Sequence, residues 1–248
     1  FEFRMVGSAD SIASPNTTLN AIVAEAFCEA ADELEKAENF DMAVHDLIKK
    51  YMTEHQRIVF NGDGYSDEWV KEAERRGLPN IKSMVDATAT LTTEKSVKLF
   101  EKFGIFTRAE LESREEVLYE TYAKCINIEA LTMIDMATKQ IIPAVVKYTI
   151  TLANSVSAVR SACAEANVKV QTDLLMEVSE LLAKTKEALN KLKEAEAEAK
   201  AKTNSKDMAH AFKDVVMPAM MELRTPVDKL EMLVDKEAWP MPSYGDLI

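Results

Sequence analysis

Apolar residues recur at helical spacing along most of this chain. After Ser14 and Pro15, apolar residues at this spacing form a stripe: Leu19, Ile22, Val23, Ala26, Phe27, Ala30 and Leu34. Such a stripe covers one side of a helix, and a proline suits the first helical turn. The same spacing, with capping residues, predicts shorter helices over residues 41–59, 66–76 and 93–103.

Long helices are predicted from residue 107 onward. Thr107 and Glu110 form a capping box, and the helix that they open extends to about residue 163 with a kink near Pro143. A second helix covers about residues 168–202. A third helix ends near residue 234, and its two prolines are expected to disturb it: Pro218 and Pro226.

The second long helix carries a seam of the kind that packs helices together. Its members alternate in steps of four and three: Leu174, Val178, Leu181, Thr185, Ala188, Leu192, Ala195 and Ala199. This heptad-like spacing predicts a contact with other helices. The lysine-, glutamate- and alanine-rich stretch over residues 191–202 is expected to be a solvated helical face.

The first six residues follow a different period. Phe1, Phe3 and Met5 alternate with Glu2, Arg4 and Val6, which predicts a strand. One strand of this length forms no sheet alone. The predicted fold class is therefore mainly α, with one N-terminal strand remnant, a cluster of shorter helices and a long antiparallel three-helix bundle. The predicted domain limits are 1–106, 107–235 and 236–248, the last being an extended tail.

Composition and charge narrow the class of protein. The chain has 248 residues, 47% of them hydrophobic, with only 6 Gly and 7 Pro, which favours long helices over a turn-rich sheet. Its net charge of −12 disfavours nucleic acid and anionic membranes as partners. No uninterrupted apolar run reaches the roughly 18 residues of a membrane span. We expect a cytoplasmic protein whose cysteines are buried free thiols: Cys28, Cys125 and Cys163.

Most candidates for chemistry fail on detail. The loop over residues 61–68 has oxygen-bearing side chains at alternate positions, but its glycines and its lack of a glutamate at the twelfth place do not fit a calcium loop. His45, His55 and His210 are too scattered for a local metal motif. The 13 Met residues are expected to fill the core or to form a subunit contact.

Glu2 and Arg4 are the exception. Their side chains fall on the same face of the predicted strand, roughly 6.6–7 Å apart along it. In a cleft, a carboxylate and a guanidinium at this spacing suit a metal ion beside an anionic substrate. On a solvated sheet they would be an ordinary ion pair, and the dipeptide pattern alone leaves both interpretations open.

The residues around this strand resemble the end of the catalytic domain of glutamine synthetases. In that family a Glu-X-Arg strand is followed by a helix start like the one at Ser14, Pro15 and Asn16. Further stretches are similar to the long type III branch: Phe60-Asn61-Gly62-Asp63-Gly64-Tyr65-Ser66-Asp67-Glu68-Trp69, Arg76-Gly77-Leu78-Pro79-Asn80 and Trp239-Pro240-Met241-Pro242-Ser243-Tyr244-Gly245-Asp246-Leu247. The general pattern covers residues 1–35, and the type III resemblance spans most of the chain.

The resemblance implies a ligase of glutamine biosynthesis and nitrogen metabolism. Its parent enzyme would join ammonia to glutamate through γ-glutamyl phosphate, using ATP and Mg²⁺ or Mn²⁺, in a ring-shaped homo-oligomer. Glu2 matches the carboxylate that binds a metal, and Arg4 matches the catalytic arginine at the γ-carboxylate. Because the chain opens within a regular pattern, we expect a C-terminal fragment that is inactive alone and binds no cofactor tightly.

A second interpretation needs no catalytic parent. In it the chain is a free-standing helical scaffold or adaptor that recruits a partner through the seam of its second long helix. The sequence leaves open the oligomer stoichiometry, the regulation and the role of the loop over residues 61–66.

Overall fold

The computed structural model describes residues 11–242 and Asp246. Contacts divide the chain into two units, and the boundary along the sequence falls between Glu115 and Glu116. Every regular element within the described residues is a helix, so the mainly α class is confirmed. The predicted strand over residues 1–6 lies outside the described residues and stays a prediction.

Side-chain caps set the starts of four helices in the first unit. The helices are α1 (Ala13–Leu34), α2 (Phe40–Glu54), a 3₁₀ turn (Gln56–Ile58), α3 (Asp67–Arg75), α4 (Met84–Thr88) and α5 (Glu94–Lys102). Asn39, Ser66, Ser83 and Thr93 each accept a backbone N–H in the first turn that follows, which satisfies a donor with no partner inside the helix. Helix α4 was not predicted from the sequence.

The next helix, α6 (Arg108–Met136), begins as its capping box predicts. The Thr107 N–H donates to Glu110 Oε2 at 2.8 Å, and the Glu110 N–H donates to Thr107 Oγ1 at 3.4 Å. Glycine ends α3, as predicted: Gly77 has a φ of 69°, and the Leu78 N–H reaches back to the Ala73 carbonyl at 2.9 Å. Only glycine adopts this left-handed conformation without strain.

Two wide turns interrupt the long helices of the second unit. After α6, a π-helical turn (Ala137–Ile141) leads to α7 (Ile142–Ala162), and α8 (Lys169–Lys200) follows. The last helical segment comprises α9 (Ser205–Ala211), a second π-helical turn (Phe212–Val216) and α10 (Met217–Leu233).

Proline explains where both wide turns lie. The Ile142 N–H donates to the Ala137 carbonyl, and the Met217 N–H donates to the Phe212 carbonyl, each five residues back. The next residue is Pro143 or Pro218, whose ring crowds the carbonyl four residues earlier. The predicted disturbances near these two prolines are confirmed. At Pro226 the α10 assignment continues without a break, with the proline buried inside the helix, and a bend there stays a prediction.

Two apolar clusters hold the second unit together. The first joins residues of α6, α8 and the last segment: Ala123, Ala130, Ala137, Ala188, Leu189, Leu192, Ala195, Ala199, Phe212, Val216, Ala219 and Leu223. The second joins Ile141, Val145, Leu152, Val178, Leu181, Leu230, Val234 and Trp239. Burial of this apolar surface is the main force that stabilises the unit.

The predicted seam of α8 lies inside this core. Seven of its positions are buried, and only Leu174 is partly exposed. Its one polar member is satisfied, since Thr185 Oγ1 donates to the Leu181 carbonyl at 2.8 Å. The seam therefore packs against the other segments of its own unit and offers no free surface for an adaptor. The second interpretation of the sequence was wrong on this point.

The tail is not extended where it leaves α10. The Trp239 N–H donates to the Asp235 carbonyl at 2.9 Å, which forms a turn, and Trp239 packs into the second cluster. The predicted tail, residues 236–248, thus begins with a turn, and the extended backbone predicted at its prolines stays a prediction.

One stretch of the continuous helix over residues 108–162 is more apolar than the sequence pattern indicated. An 18-residue window reaches a mean hydropathy of 1.2, enough by length and composition to cross a membrane, and 17% of it is buried. Core helices of other proteins satisfy the same test, so the window alone does not indicate a span. Helices α6 and α7 do present apolar side chains outward, among them Ile128 and Ile150.

Candidate functional site

The residues predicted to carry chemistry, Glu2 and Arg4, lie outside the described residues. Their separation and contacts therefore stay predictions. Within residues 11–242, no group of three or more His, Cys, Asp or Glu side chains could hold a metal ion. The described part of the chain supplies no metal site of its own.

The most organised polar cluster surrounds Arg76, at the end of α3. Its guanidinium donates to the carbonyls of Arg57 at 3.2 Å and Val59 at 2.8 Å. It also lies 5.9 Å from the ring centroid of Phe60 and 5.5 Å from that of Trp69, and those rings stack at 4.0 Å. Contacts between a guanidinium and ring faces are attractive. Two of the stretches that carry the family resemblance thus meet at one cation, in what we call the Arg76 clamp.

Glu72 completes the Arg76 clamp. Its carboxylate accepts two hydrogen bonds from Arg75 and one from Arg76 Nε, all at 2.6 Å. Bidentate pairing of this kind favours the ionised form. Arg75 first, and then Arg76, lower the pKa of Glu72 to about 2. The carboxylate therefore stays ionised and paired, so it is unsuited to act as a general acid or base near neutral pH.

The polar loop over residues 61–66 lies in the sequence between Phe60 and Trp69, the two stacked rings of the Arg76 clamp. Asp63 Oδ1 accepts from the Tyr65 N–H at 2.9 Å, and Ser66 Oγ donates to the Asp63 carbonyl at 3.0 Å. These are contacts of a turn followed by a helix cap. A Cβ added at Gly62 would come within 2.7 Å of Phe60 Cζ, so the stacked ring occupies the space that a side chain would need.

Gly62→Ala tests whether this fit matters. We expect the Phe60 ring to shift against Trp69, with a loss of about 1–2 kcal/mol in the free energy of unfolding of the first unit. In a Trp239→Phe background, Trp69 is the remaining tryptophan and its fluorescence reports unfolding by urea. Gly64→Ala is the matched control, since a Cβ there meets nothing within 4 Å. Equal effects of the two substitutions would contradict the steric explanation.

The ion pairs of Glu72 predict a pH dependence. Its pKa in the folded protein, about 2, is below the value of about 4.3 expected in an unfolded chain. The pairing therefore stabilises the fold fully above the unfolded pKa, and this contribution is lost as the pH falls towards 2. We expect Glu72→Gln to be less stable than wild type near neutral pH and equally stable at the acid end, in urea titrations followed by Trp69. Glu68→Gln, an exposed change on the same helix, should leave the profile unaltered.

The histidines and cysteines form no reactive arrangement in the described residues. His45 lies 3.5 Å from Asp46 and His210 lies 3.8 Å from Asp214, which are exposed or half-exposed pairs. All three cysteines are free, as predicted. The expectation that they are buried was wrong: Cys125 and Cys163 are exposed and Cys28 is half-buried. Cys125 lies at an exposed position of α6, and Cys163 follows the last residue of α7, which the apolar pattern around them did not reveal.

One groove of about 290 Å³ lies between α8 and α10. Its charged lining has both signs, from Lys184, Lys229, Glu187 and Glu222. Lys191 bonds Glu222 at 2.6 Å, and Lys184 bonds Glu180 at 2.6 Å. Because Lys184, Glu187 and Glu222 already have partners, the groove presents no convergent set of groups for a small ligand.

Comparison with known proteins shows which family the chain is similar to. The family described as "Glutamine synthetase C-terminal domain" matches residues 43–160. The whole chain aligns at 34% identity with the type-3 glutamine synthetase of Dictyostelium discoideum, covering 35% of that protein. It aligns at 32% with the glutamine synthetase of Bacteroides fragilis (strain YCH46), again over 35% of that protein, and 83% of it aligns at 34% with that of Butyrivibrio fibrisolvens. The chain spans about a third of the length of these relatives.

Proposed function

This chain belongs to the family of glutamine synthetase C-terminal domains, and on that basis we propose that it is part of an enzyme that ligates ammonia to glutamate with ATP. The observation that carries the proposal is the 34% identity with a type-3 glutamine synthetase over the whole of this chain. The reaction would phosphorylate the γ-carboxylate of glutamate, and ammonia would then displace phosphate from the γ-glutamyl phosphate.

Within that enzyme, we assign chemistry to Glu2 and Arg4. Glu2 would be one carboxylate ligand of Mg²⁺ or Mn²⁺, which are hard cations that prefer oxygen ligands. The metal would neutralise phosphate charge during transfer. Arg4 would hold the γ-carboxylate of glutamate through its planar guanidinium, which orients the attacking oxygen. The other ligands and the nucleotide site would come from the rest of the enzyme, so this chain alone should be inactive.

The second unit is proposed to be an antiparallel three-helix module. The first apolar cluster joins the early part of α6 to the late part of α8, through residues such as Ala123 and Ala199. The second joins the later Leu152 to the earlier Val178. These pairings fit a continuous helix over residues 108–162 and a helix α8 that run in opposite directions. The pairings of α8 with α10 fit the same arrangement. This pattern supports the predicted bundle.

We propose that this module contributes to a homo-oligomer, as the resemblance implies. Apolar side chains on its outer surface support this role, and methionines are frequent among them: Val117, Ile128, Leu131, Val146, Ile150, Met176, Val215, Met217, Met221 and Met232. An apolar surface of this extent is typical of a contact between proteins. The exposed free thiols of Cys125 and Cys163 fit the proposed cytoplasmic location, where thiols stay reduced.

The direct test is an assay of the full-length protein. Glutamine formation should require glutamate, ammonia, ATP and Mg²⁺ or Mn²⁺ together, with one phosphate released per glutamine. The chain of residues 1–248 alone should form none. A full-length protein that is folded but forms no glutamine with any of these metals would refute the proposed activity.

A further inference from the structure

A small apolar cavity lies between α6 and α10, beside the first π-helical turn. Its volume is about 130 Å³. Met133, Met136, Leu223 and Val227 form its walls, and Met241 of the tail borders it. An apolar cavity of about 150 Å³ holds a molecule as large as benzene, so this cavity suits one aliphatic side chain.

The lining of the cavity favours an apolar occupant. Among its described residues only Arg224 is charged, and Arg224 Nε already donates to Asp228 Oδ2 at 3.2 Å. The other lining residues carry aliphatic or thioether side chains, and water gains little in a space without polar partners. Methionine adapts its shape to a neighbouring apolar group. The occupant should therefore be small and apolar.

The tail of the chain runs past this cavity. Met241 lines the cavity and packs against the second apolar cluster, which also contains Val234 and Trp239 at the start of the tail. Further along, Asp246 Oδ1 lies 2.6 Å from Lys236 Nζ. Asp246 is therefore held near the residues that begin the tail, beside the same cluster.

The ion pair of Asp246 is too exposed to contribute much to this arrangement. The exposed fraction is 70% for the side chain of Lys236 and 37% for that of Asp246, and exposed ion pairs contribute little to stability. Burial of one aliphatic side chain contributes more. Leu247 is the next residue, and consecutive Cα atoms are about 3.8 Å apart, so the pair brings an apolar residue close to the second cluster.

We propose that the side chain of Leu247, which lies outside the described residues, docks in this cavity. Leu247 is the first apolar residue after Asp246, and its size matches the capacity of the cavity. Tyr244 fits less well, because its ring is larger and its hydroxyl would lack a hydrogen-bond partner among apolar side chains. The docked leucine fastens the tail to α6 and α10 at the same point.

Disulfide trapping in the full-length protein tests this docking. Val227→Cys is combined with Leu247→Cys, because a disulfide needs Cα atoms about 4.4–6.8 Å apart and docking would bring the two positions together. Met232→Cys with Leu247→Cys is the matched control, since Met232 lies on the same helix and is 84% exposed. During oxidation by glutathione disulfide, we expect the linked peptide to form at least about tenfold faster in the first pair than in the control pair.

Oxidation of methionine by hydrogen peroxide gives a second measurement, which needs no new cysteine. Leu247→Gly would uncover the walls of the cavity, so Met133 and Met136 should form sulfoxide faster than in the unmodified full-length protein. Met232 is the internal control, and its rate should not change. Peptide mass spectrometry follows all three residues in one sample.

Other results would overturn the proposal. Equal rates of linkage in the two cysteine pairs would show that the tail does not reach the cavity, and a linked peptide that joins two chains would identify the tail of a second copy as the occupant. Faster linkage of Val227→Cys with Tyr244→Cys than with Leu247→Cys would assign the cavity to Tyr244. Unchanged sulfoxide formation at Met133 and Met136 in Leu247→Gly would show that Leu247 does not cover them.

Discussion

Replacing Glu2 with glutamine in the full-length protein is expected to lower the rate of glutamine formation by roughly 10²–10³-fold, the cost of removing one group that stabilises transition-state charge. The substitution keeps the size of the side chain and one oxygen, but it removes the negative charge that would attract Mg²⁺ or Mn²⁺. The concentration of metal needed for half-maximal activity should rise as well. Steady-state kinetics at a series of metal concentrations measures both effects.

Two controls make the Glu2 result specific. Glu165→Gln removes a carboxylate from an exposed position between α7 and α8 and should leave rate and metal dependence as in wild type. The circular dichroism of Glu2→Gln should match that of wild type, which excludes unfolding as the cause. Wild-type turnover with an unchanged metal requirement in Glu2→Gln would remove Glu2 from the metal site.

Phe212→Ala is expected to destabilise the second unit by about 3–5 kcal/mol, the usual cost of deleting a buried phenyl ring. Phe212 is 1% exposed and lies in the larger apolar cluster. It also belongs to a π-helical turn, a rare backbone conformation. The unit should therefore depend on the contacts of this side chain.

The two tryptophans allow this effect to be measured in one unit at a time. In a Trp69→Phe background, the fluorescence of Trp239, which packs in the second cluster, follows unfolding of the second unit by urea. Met232→Ala, at an exposed position on α10, should change the free energy of unfolding by less than about 0.5 kcal/mol. If Phe212→Ala were as mild as Met232→Ala, the ring would not be a core residue.

Local patterns predicted the helices well because their causes are local. The capping box of Thr107 and Glu110 and the left-handed glycine at Gly77 each involve residues a few positions apart, and both are confirmed. The seam of α8 was predicted for a similar reason, since apolar spacing identifies the face that a long helix buries. The strand at residues 1–6, and with it Glu2 and Arg4, stays a prediction.

The same patterns did not predict contacts between residues that are distant in the sequence. The Arg76 clamp joins residues of α3 to carbonyls that lie 17 and 19 positions earlier, and no spacing rule announces such a pairing. The apolar spacing of α1 identified one side of the helix, but periodicity did not show that Ile22 and Phe27 on that side are exposed. Cys125 and Cys163 likewise have neighbours typical of a core, although both residues are exposed.

The wide turn at residues 137–141 has a consequence for how the second unit opens. Ala137 belongs to the first apolar cluster and Ile141 to the second, so the long helix passes from one cluster to the other through this π-helical turn. Amide hydrogen exchange should therefore resolve two cooperative blocks along this helix, with different opening free energies and a boundary at Pro143. Thermal motion would divide the unit there long before either block unfolds globally.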